Sequence, residues 1–421
     1  MNARNKWRLA SMMGLLYAVQ GAWWPLFTVH LRELGVSGRE RGWLFATMAI
    51  AAILSPLGFG RIADRFLPAE RMLALIYALG AAMLLLPALG IAHAFVPMFA
   101  LFLAYWLLTV PGLGLSNAIA LRNLDQPRED FGSVRLWGTV GWMAVGWVVS
   151  FVMFARGSGD SYKGAFEAFW VAALLSIALA IFSLFLPRTP PLEIRDNRRP
   201  RFDFAGSLSM LKQPAVAIYV VAALGINLTN PFVYQVMPSY LNDLGLPRSW
   251  IAASLTLGQI LEIAGLFFLT KLIGRFGFRG TLAIGALAWT IRFGSLALGP
   301  PIWLAVGGTL LHGVGIACFT VGGQIYLDRQ APLARRAGAQ ALNVVVTTGI
   351  GSLLGNLLAG EIVVRAKGDY RLVFAVPFLV DLAMLGLIVV FFRPENRRSE
   401  TDKTYQTTKF RPFSTETITT T

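Results

Sequence analysis

Charged residues are scarce in this sequence. They make up 14% of its 421 residues, whereas a soluble domain carries about 25%. Hydrophobic residues reach 56%, so the composition excludes a soluble globular protein and predicts an integral membrane protein. The basic first residues lead into an apolar run from Leu9, but no small-residue cleavage site follows. We therefore expect this run to be retained as a span rather than removed as a signal peptide.

Cysteine and histidine are almost lacking. The single cysteine, Cys318, excludes an intrachain disulfide. The three histidines are too scattered for a metal site, and neither a nucleophile motif nor a sizeable extramembrane domain is present. We expect no enzyme and no cofactor.

The net charge of +15 is spread through short loops between apolar runs, which indicates membrane topology and a lipid bilayer as partner rather than nucleic acid. We expect a monomer.

Apolar runs of about 20 residues recur along the chain, and this is the length a helix needs to cross about 30 Å of hydrocarbon. They predict an all-α membrane protein with twelve transmembrane helices, near residues 9–31, 42–62, 71–92, 94–121, 134–155, 165–187, 214–241, 249–273, 281–299, 301–327, 338–364 and 371–392. Short loops rich in Lys and Arg stay in the cytoplasm. Their distribution predicts a protein of the cytoplasmic (inner) membrane with both termini cytoplasmic.

The predicted spans form two groups of six. Residues 188–213, rich in proline and arginine, predict a cytoplasmic linker between an N-terminal half (1–187) and a C-terminal half (214–393), and residues 394–421 a disordered tail. The loop Gly60–Arg65 has a counterpart in Gly274–Arg279. Paired halves are typical of transporters with a substrate site between them.

The loop of residues 60–65, with its aspartate-arginine pair, the twelve spans and the six-plus-six division resemble the major facilitator superfamily. The resemblance implies the major facilitator fold. It also implies that Asp64 and Arg65 are gating residues that help to close the cytoplasmic side. The alternative is that the arginines of this loop serve only as topology signals.

Polar residues inside the spans identify a candidate substrate site. Glu262 lies near the centre of a span, where an ionised side chain costs about 2.5–3.5 kcal/mol and usually faces a cavity or a partner. Gln259 lies three residues earlier. We expect Glu262 to bind substrate and to exchange a proton. The alternative is a permanent ion pair with Arg135 or Arg292, since buried charges need partners.

Two further spans present polar side chains at helical spacing. Arg135, Thr139 and Trp142 share one helix face, and the arginine at a span edge has the alternative of reaching the membrane surface. Asn227 and Asn230 precede Pro231, which interrupts a helix. Clustered amides suit an uncharged ligand with mixed hydrogen-bonding edges, such as a sugar or a nucleobase, although amides also join helices to one another.

The remaining polar candidates are weaker. Gln20 and Trp23 share a face of the first span and are candidate cavity residues, although tryptophans near span ends more often anchor to the membrane interface. Arg292 in the ninth span and Asp381 in the twelfth are candidates for structural partners, with the alternative that they lie at a shallower depth in the membrane.

Four segments carry a closer resemblance: RLWGTVGW (135–142), the pair Asn227 and Asn230, GQILE (258–262) and AWTIRF (288–293). Together they resemble the bacterial nucleoside:proton symporter family. The resemblance implies proton-driven nucleoside uptake and a nucleoside site lined by Arg135, Thr139, Trp142, Asn227, Asn230, Gln259 and Glu262.

One departure concerns the tenth span. There the family carries an aromatic residue followed by an aspartate, and this chain has Ile316 and Ala317. His312, where the family has a tyrosine, is a hypothetical substitute for the missing acid.

The sequence therefore predicts a secondary active transporter that imports nucleosides by proton symport with alternating access. The partners would be a nucleoside-like substrate and protons, with Glu262 as the coupling group. The alternatives are a permease of the same fold for a sugar or an aromatic or organic acid, with Arg135 binding the carboxylate, or exchange without proton coupling.

Overall fold

The computed structural model describes residues 3–91, 93–157, 166–191, 208–332 and 335–394. Within these ranges the chain is helical and contains no strand. The first part of the chain forms α1 (Ala3–Trp23), α2 (Phe27–Glu33), α3 (Gly38–Phe66), α4 (Ala69–Ala88), α5 (Phe95–Asn123), α6 (Pro127–Ala155) and α7 (Phe166–Ser183). A short 3-10 turn, Trp24–Leu26, separates α1 from α2 and contains Pro25.

The second part has more interruptions. It forms α8 (Pro214–Thr229), α9 (Pro231–Gln235), α10 (Met237–Asp243), α11 (Arg248–Leu255), α12 (Leu257–Leu298), α13 (Ile302–Gly308), α14 (Leu311–Gly315), α15 (Gly322–Gln330), α16 (Arg336–Val344), α17 (Ser352–Arg365) and α18 (Tyr370–Phe391). Two π-helical turns, Ile316–Val321 and Val345–Gly351, join α14 to α15 and α16 to α17.

Two of the interruptions follow from single residues. The break between α8 and α9 falls before Pro231, as the sequence predicts, because proline lacks the N–H that would continue the ladder. Gly277, inside α12, has a φ of 66°, a conformation that glycine adopts without a steric penalty. The stretch Leu257–Leu298 is therefore two helices joined at a kink, which agrees with the separate spans predicted at 249–273 and 281–299.

Nine stretches of the described residues are long and apolar enough to cross a membrane. One of them, Arg248–Leu298, has 51 residues and contains two of the predicted spans. Large apolar side chains such as Val96, Phe151 and Phe267 are more than two-thirds exposed, which suits contact with lipid. The protein is a multi-pass membrane protein, while the number of twelve spans remains a prediction.

Helices of the first part pack mainly on one another, and so do helices of the second part. In the first, α1 lies along α6, α4 along α7 and α3 along α5; in the second, α12 packs on α14 and α18. The most extensive contacts between the first part and the second are those of α3 with α17 and of α6 with α11. Most of the predicted linker and nearly all of the predicted tail lie outside the described residues.

Candidate functional site

Two of the three candidate residues of helix α6 contact aromatic side chains of other helices. The guanidinium carbon of Arg135 lies 4.1 Å from the ring centroid of Tyr17 on α1, a cation–π contact. The ring of Trp142 lies 6.3 Å from that of Tyr234 on α9, at 75°. Thr139, between them, is half-buried, and its hydroxyl makes no hydrogen bond to a described residue. This face therefore retains hydrogen-bonding capacity.

The broken helix of α8 and α9 places its two amides differently. The Nδ2 of Asn227 donates to the carbonyl oxygen of Ala223 on the same helix, at 2.8 Å. Asn230, at the break, is half-buried and has no side-chain hydrogen bond within the described part of the chain. The carboxamide of Asn230 therefore has both its donor and its acceptor unpaired within the described chain, whereas Asn227 uses its nitrogen in a bond within its own helix.

Gln259 and Glu262 lie at the start of α12. Gln259 is 6% exposed, and in the orientation that satisfies its carboxamide the nitrogen donates to the Thr256 carbonyl oxygen at 2.8 Å. Glu262 is half-buried and has no Lys or Arg nitrogen of the described residues within 4.0 Å. Arg135, on the facing half, acts on it electrostatically at longer range.

Among the described residues, Glu262 forms no ion pair with Arg135 or Arg292 in this conformation, so the permanent ion pair considered as an alternative is absent. Arg292, the other candidate partner, is held elsewhere, because its Nη1 lies 2.7 Å from Nδ1 of His312. Glu262 and Arg135 thus come from different predicted halves and lie within electrostatic range of each other, without an ion pair between them.

The two candidates of the first span have different surroundings. Gln20 is half-buried and forms no side-chain hydrogen bond among the described residues. Trp23 is fully buried, and its ring stacks on Phe102 at 5.3 Å within an aromatic cluster of the first half. The geometry of Trp23 favours packing over direct ligand contact.

Sequence reasoning missed Tyr17 and Tyr234. Both are within electrostatic range of Glu262, and Tyr17 also contacts Arg135. Their positions carried a signal, because Tyr17 precedes Gln20 by three residues and Tyr234 follows Asn230 by four, so that each shares a helix face with a polar candidate.

The position of the missing acid is closely packed. Ala317 is fully buried, and a Cβ built on Gly265 of α12 would lie 2.7 Å from the Cβ of Ala317. The two small residues let α12 approach the π turn. His312, the hypothetical substitute, lies beside Arg292 and the indole of Trp289; the structure gives it no contact with Glu262.

Three ion pairs join the predicted halves within the described ranges, and all lie at the end that the loop charges predict to face outward. Arg32 pairs with Asp243 at 2.8 Å, Arg39 with Glu361 at 2.6 Å and Arg248 with Glu33 at 2.5 Å. At the opposite end, the side chains of the predicted gating residues Asp64 and Arg65 lie outside the described residues.

Backbone contacts also join the two halves at this predicted outward end. The Thr28 hydroxyl donates to the Gln235 carbonyl oxygen at 2.6 Å, and Ser150 Oγ accepts from the Ala253 N–H at 3.1 Å. A Cβ on Gly42 of α3 would lie 2.8 Å from the Asn356 carbonyl oxygen of α17. All these contacts hold the two halves together at one end of the bundle in this conformation.

A bundle of apolar helices with polar side chains gathered between its halves defines a transporter of the major facilitator fold. The chain belongs to the nucleoside H+ symporter family, whose profile matches residues 3–397. It is a membrane transporter and not an enzyme.

Individual relatives agree with this assignment. The chain is 30% identical over 408 residues to the putative nucleoside transporter YegT of Escherichia coli (strain K12), covering 94% of this chain and 95% of that protein. It is 26% identical over 378 residues to the nucleoside permease NupG of the same organism, covering 85% and 88%. A crystal structure of nucleoside transporter NupG superposes with a TM-score of 0.81 at 23% identity, covering 94% of this chain and 100% of that one.

Proposed function

We propose that this member of the nucleoside H+ symporter family imports nucleosides together with protons, and that the nucleoside binds between Arg135 and Glu262. The observation that carries the proposal is that these two residues come from different halves, lie within electrostatic range of each other and form no ion pair within the described chain. An opposed cation and carboxylate keep the site neutral overall. A neutral ligand with donors and acceptors fits such a site without adding a buried charge.

The remaining candidates divide between the two parts of a nucleoside. Trp142 and Tyr234 offer aromatic surfaces from opposite halves, and aromatic faces bind bases by stacking. Thr139, Asn230 and Gln259 supply hydrogen bonds for base edges or ribose hydroxyls. Asn227 offers its carbonyl oxygen, and Gln20 borders the site from α1.

Glu262 is the proposed proton-coupling group. Its carboxylate has no fixed cation within 4.0 Å among the described residues, so it can bind a proton when the site opens outward and release it when the site opens inward. Each inward-moving proton contributes about 2.3 kcal/mol per 100 mV of membrane potential, which is enough to concentrate a neutral solute.

Transport proceeds in this proposal by alternating access between two six-helix halves, 1–187 and 214–393. The outward ion pairs, with Arg32–Asp243 among them, hold the outward end closed, while Asp64 and Arg65 close the cytoplasmic end in the other state. The protein acts as a monomer in the cytoplasmic (inner) membrane, with both termini in the cytoplasm, an orientation supported by the basic loops.

Uptake into proteoliposomes tests the proposal. Radiolabelled nucleosides should accumulate above the external concentration only when a proton gradient or an inside-negative potential is imposed. Nucleoside exchange that does not depend on the gradient would be consistent with transport but would contradict symport. A thermal-stabilisation screen of nucleosides against organic acids, repeated with Arg135→Ala, separates the ligand classes: stabilisation by organic acids alone, abolished by the substitution, would contradict the nucleoside assignment.

A further inference from the structure

A second buried carboxyl group lies away from the site described above. Asp381 is eleven residues from the start of α18 and ten from its end, which places it about 16 Å along a helix that rises 1.5 Å per residue. Its side chain is fully buried. Oδ1 accepts a hydrogen bond of 2.8 Å from the hydroxyl of Thr229 on α8, and Oδ2 has no partner among the described residues.

The opposite charge that acts on Asp381 is that of Arg292 on α12, which is 1% exposed. Its Nη1 lies 2.7 Å from Nδ1 of His312, its Nη2 donates to Sδ of Met237 at 3.5 Å, and its Nε has no partner among the described residues. No described carboxylate oxygen lies within 4.0 Å of the guanidinium, although Asp381 acts on it electrostatically. Arg292 therefore has an open donor, and Asp381 has an open oxygen.

The cost of burying a charge indicates that Asp381 is protonated in this conformation. An ionised carboxylate with one hydrogen bond is costly in the interior of a membrane protein, whereas the neutral acid loses far less on burial. Arginine keeps its charge under all ordinary conditions. A proton on Oδ2 avoids the cost while Arg292 is turned toward His312. If Arg292 moved to contact Asp381, the ionised form would be stabilised instead and the proton would leave.

Asp381 and Arg292 each contact the broken helix of α8, α9 and α10, which also carries proposed nucleoside-binding residues. Thr229, the hydrogen-bond donor to Asp381, precedes Asn230 at the break between α8 and α9, and Met237, which contacts Arg292, begins α10. A ligand that pulls on Asn230 would move Thr229 and Met237 with it. The broken helix thus provides a physical link between the occupied site and the separation of Arg292 from Asp381.

We propose that Asp381 is a second proton-binding residue of the transport cycle, with Arg292 as the cation that displaces its proton. The inference rests on the proposed symport. The proton binds Oδ2 while Arg292 contacts His312, and it leaves as an ion pair forms between Arg292 and Asp381. Two described helices packed against α18 carry groups that act on Asp381: α8 carries the hydroxyl of Thr229, and α12 carries the charge of Arg292. The third helix in contact with α18 is α17, and its charged residues, Glu361 and Arg365, lie in the last turns of α17.

Asp381→Asn in the full-length protein, reconstituted in proteoliposomes, tests the role. A potential of about 100 mV supports roughly 50-fold accumulation of a neutral solute carried with one proton. We expect Asp381→Asn to lose this accumulation and to equalise the two sides, while nucleoside counterflow without a gradient persists. The matched control is Asp369→Asn, which removes an acid that caps the same helix through Arg371 and Leu372 and should leave accumulation unchanged.

Infrared difference spectroscopy of the wild-type protein gives a second readout that needs no transport. A protonated carboxyl C=O band at neutral pH that shifts in Thr229→Val, which removes the hydrogen bond to Oδ1, would support the proposal even if Asp381→Asn failed to fold. Full accumulation by Asp381→Asn, or absence of a Thr229-sensitive band, would overturn it. Wild-type vesicles that take up no nucleoside would contradict the proposed function, since the band reports the proton on Asp381 independently.

Discussion

Nη1 of Arg32 lies 2.8 Å from both carboxylate oxygens of Asp243, a residue 211 positions later in the chain. The hydroxyl of Tyr370 donates to the same carboxylate at 2.7 Å. The three residues belong to α2, the end of α10 and the start of α18, so the contact joins the two halves at the predicted outward end. It occupies the position where an outward-open state would have to separate them.

Breaking this contact should favour the outward-open state. In Arg32→Gln the ion pair is lost, and because exposed pairs contribute about 0.2–1 kcal/mol, the population ratio should shift by a factor of up to about five. Spin labels in the loops of residues 34–37 and 366–369 would report the change as a longer distance component in pulsed electron resonance.

The matched control is Lys6→Gln. Lys6 forms an ion pair of 2.6 Å with Asp130, but both residues belong to the first half, so its loss should leave the distance distribution unchanged. Equal shifts in the two variants would mean that the labels report a general loosening and not the outward gate.

Glu262→Gln should impair both binding and coupling. A hydrogen bond to a charged group contributes about 1.5–3 kcal/mol, so nucleoside affinity measured by isothermal titration should fall by roughly 10-fold to 150-fold. Proton-driven accumulation should disappear as well. Glu40→Gln, which alters an acid of the Ser37 capping box on α3, serves as the control. Uphill accumulation by Glu262→Gln would show that this carboxylate is not required for coupling.

Trp142 should contribute through its aromatic surface. Stacking of a base on an aromatic side chain is worth about 1–3 kcal/mol, so Trp142→Ala should weaken nucleoside binding by roughly 5-fold to 150-fold, and Trp142→Phe should retain most of the affinity. Trp147, further along the same helix and 49% exposed, is the control for loss of an indole. Comparable losses from Trp142→Ala and Trp147→Ala would argue against stacking at 142.

The sequence predicted those features of the site that depend on rare residues inside apolar runs. Glu262 and the break at Pro231 stand out locally, since a carboxylate and a proline are both costly within a spanning helix. Tyr17 and Tyr234 were missed because a tyrosine in an apolar run is ordinary. Their importance appears only when two helices from different halves bring them near Arg135 and Glu262.

Contacts between residues far apart in the sequence could not be predicted, for a different reason. Arg32 and Asp243 look like separate loop charges in the sequence, and nothing local indicates that they meet. Trp23 shows the converse case, because its helical spacing from Gln20 suggested a shared cavity face, while the structure surrounds its ring with Phe102 and other aromatic residues. Pairing between halves depends on the tertiary arrangement, which residue spacing along one helix does not encode.

The crossing of α1 and α6 depends on Gly141. A Cβ at this position would overlap the backbone of Gly14 on α1, and overpacking of a tight contact costs about 1–3 kcal/mol. Gly141→Ala should therefore lower the melting temperature in detergent and displace the face that carries Arg135 and Thr139. Gly132→Ala on the same helix is the control, because a Cβ there meets nothing within 4 Å and alanine is the better helix former. A Gly141→Ala protein as stable as Gly132→Ala would show that the two helices are not held in close contact.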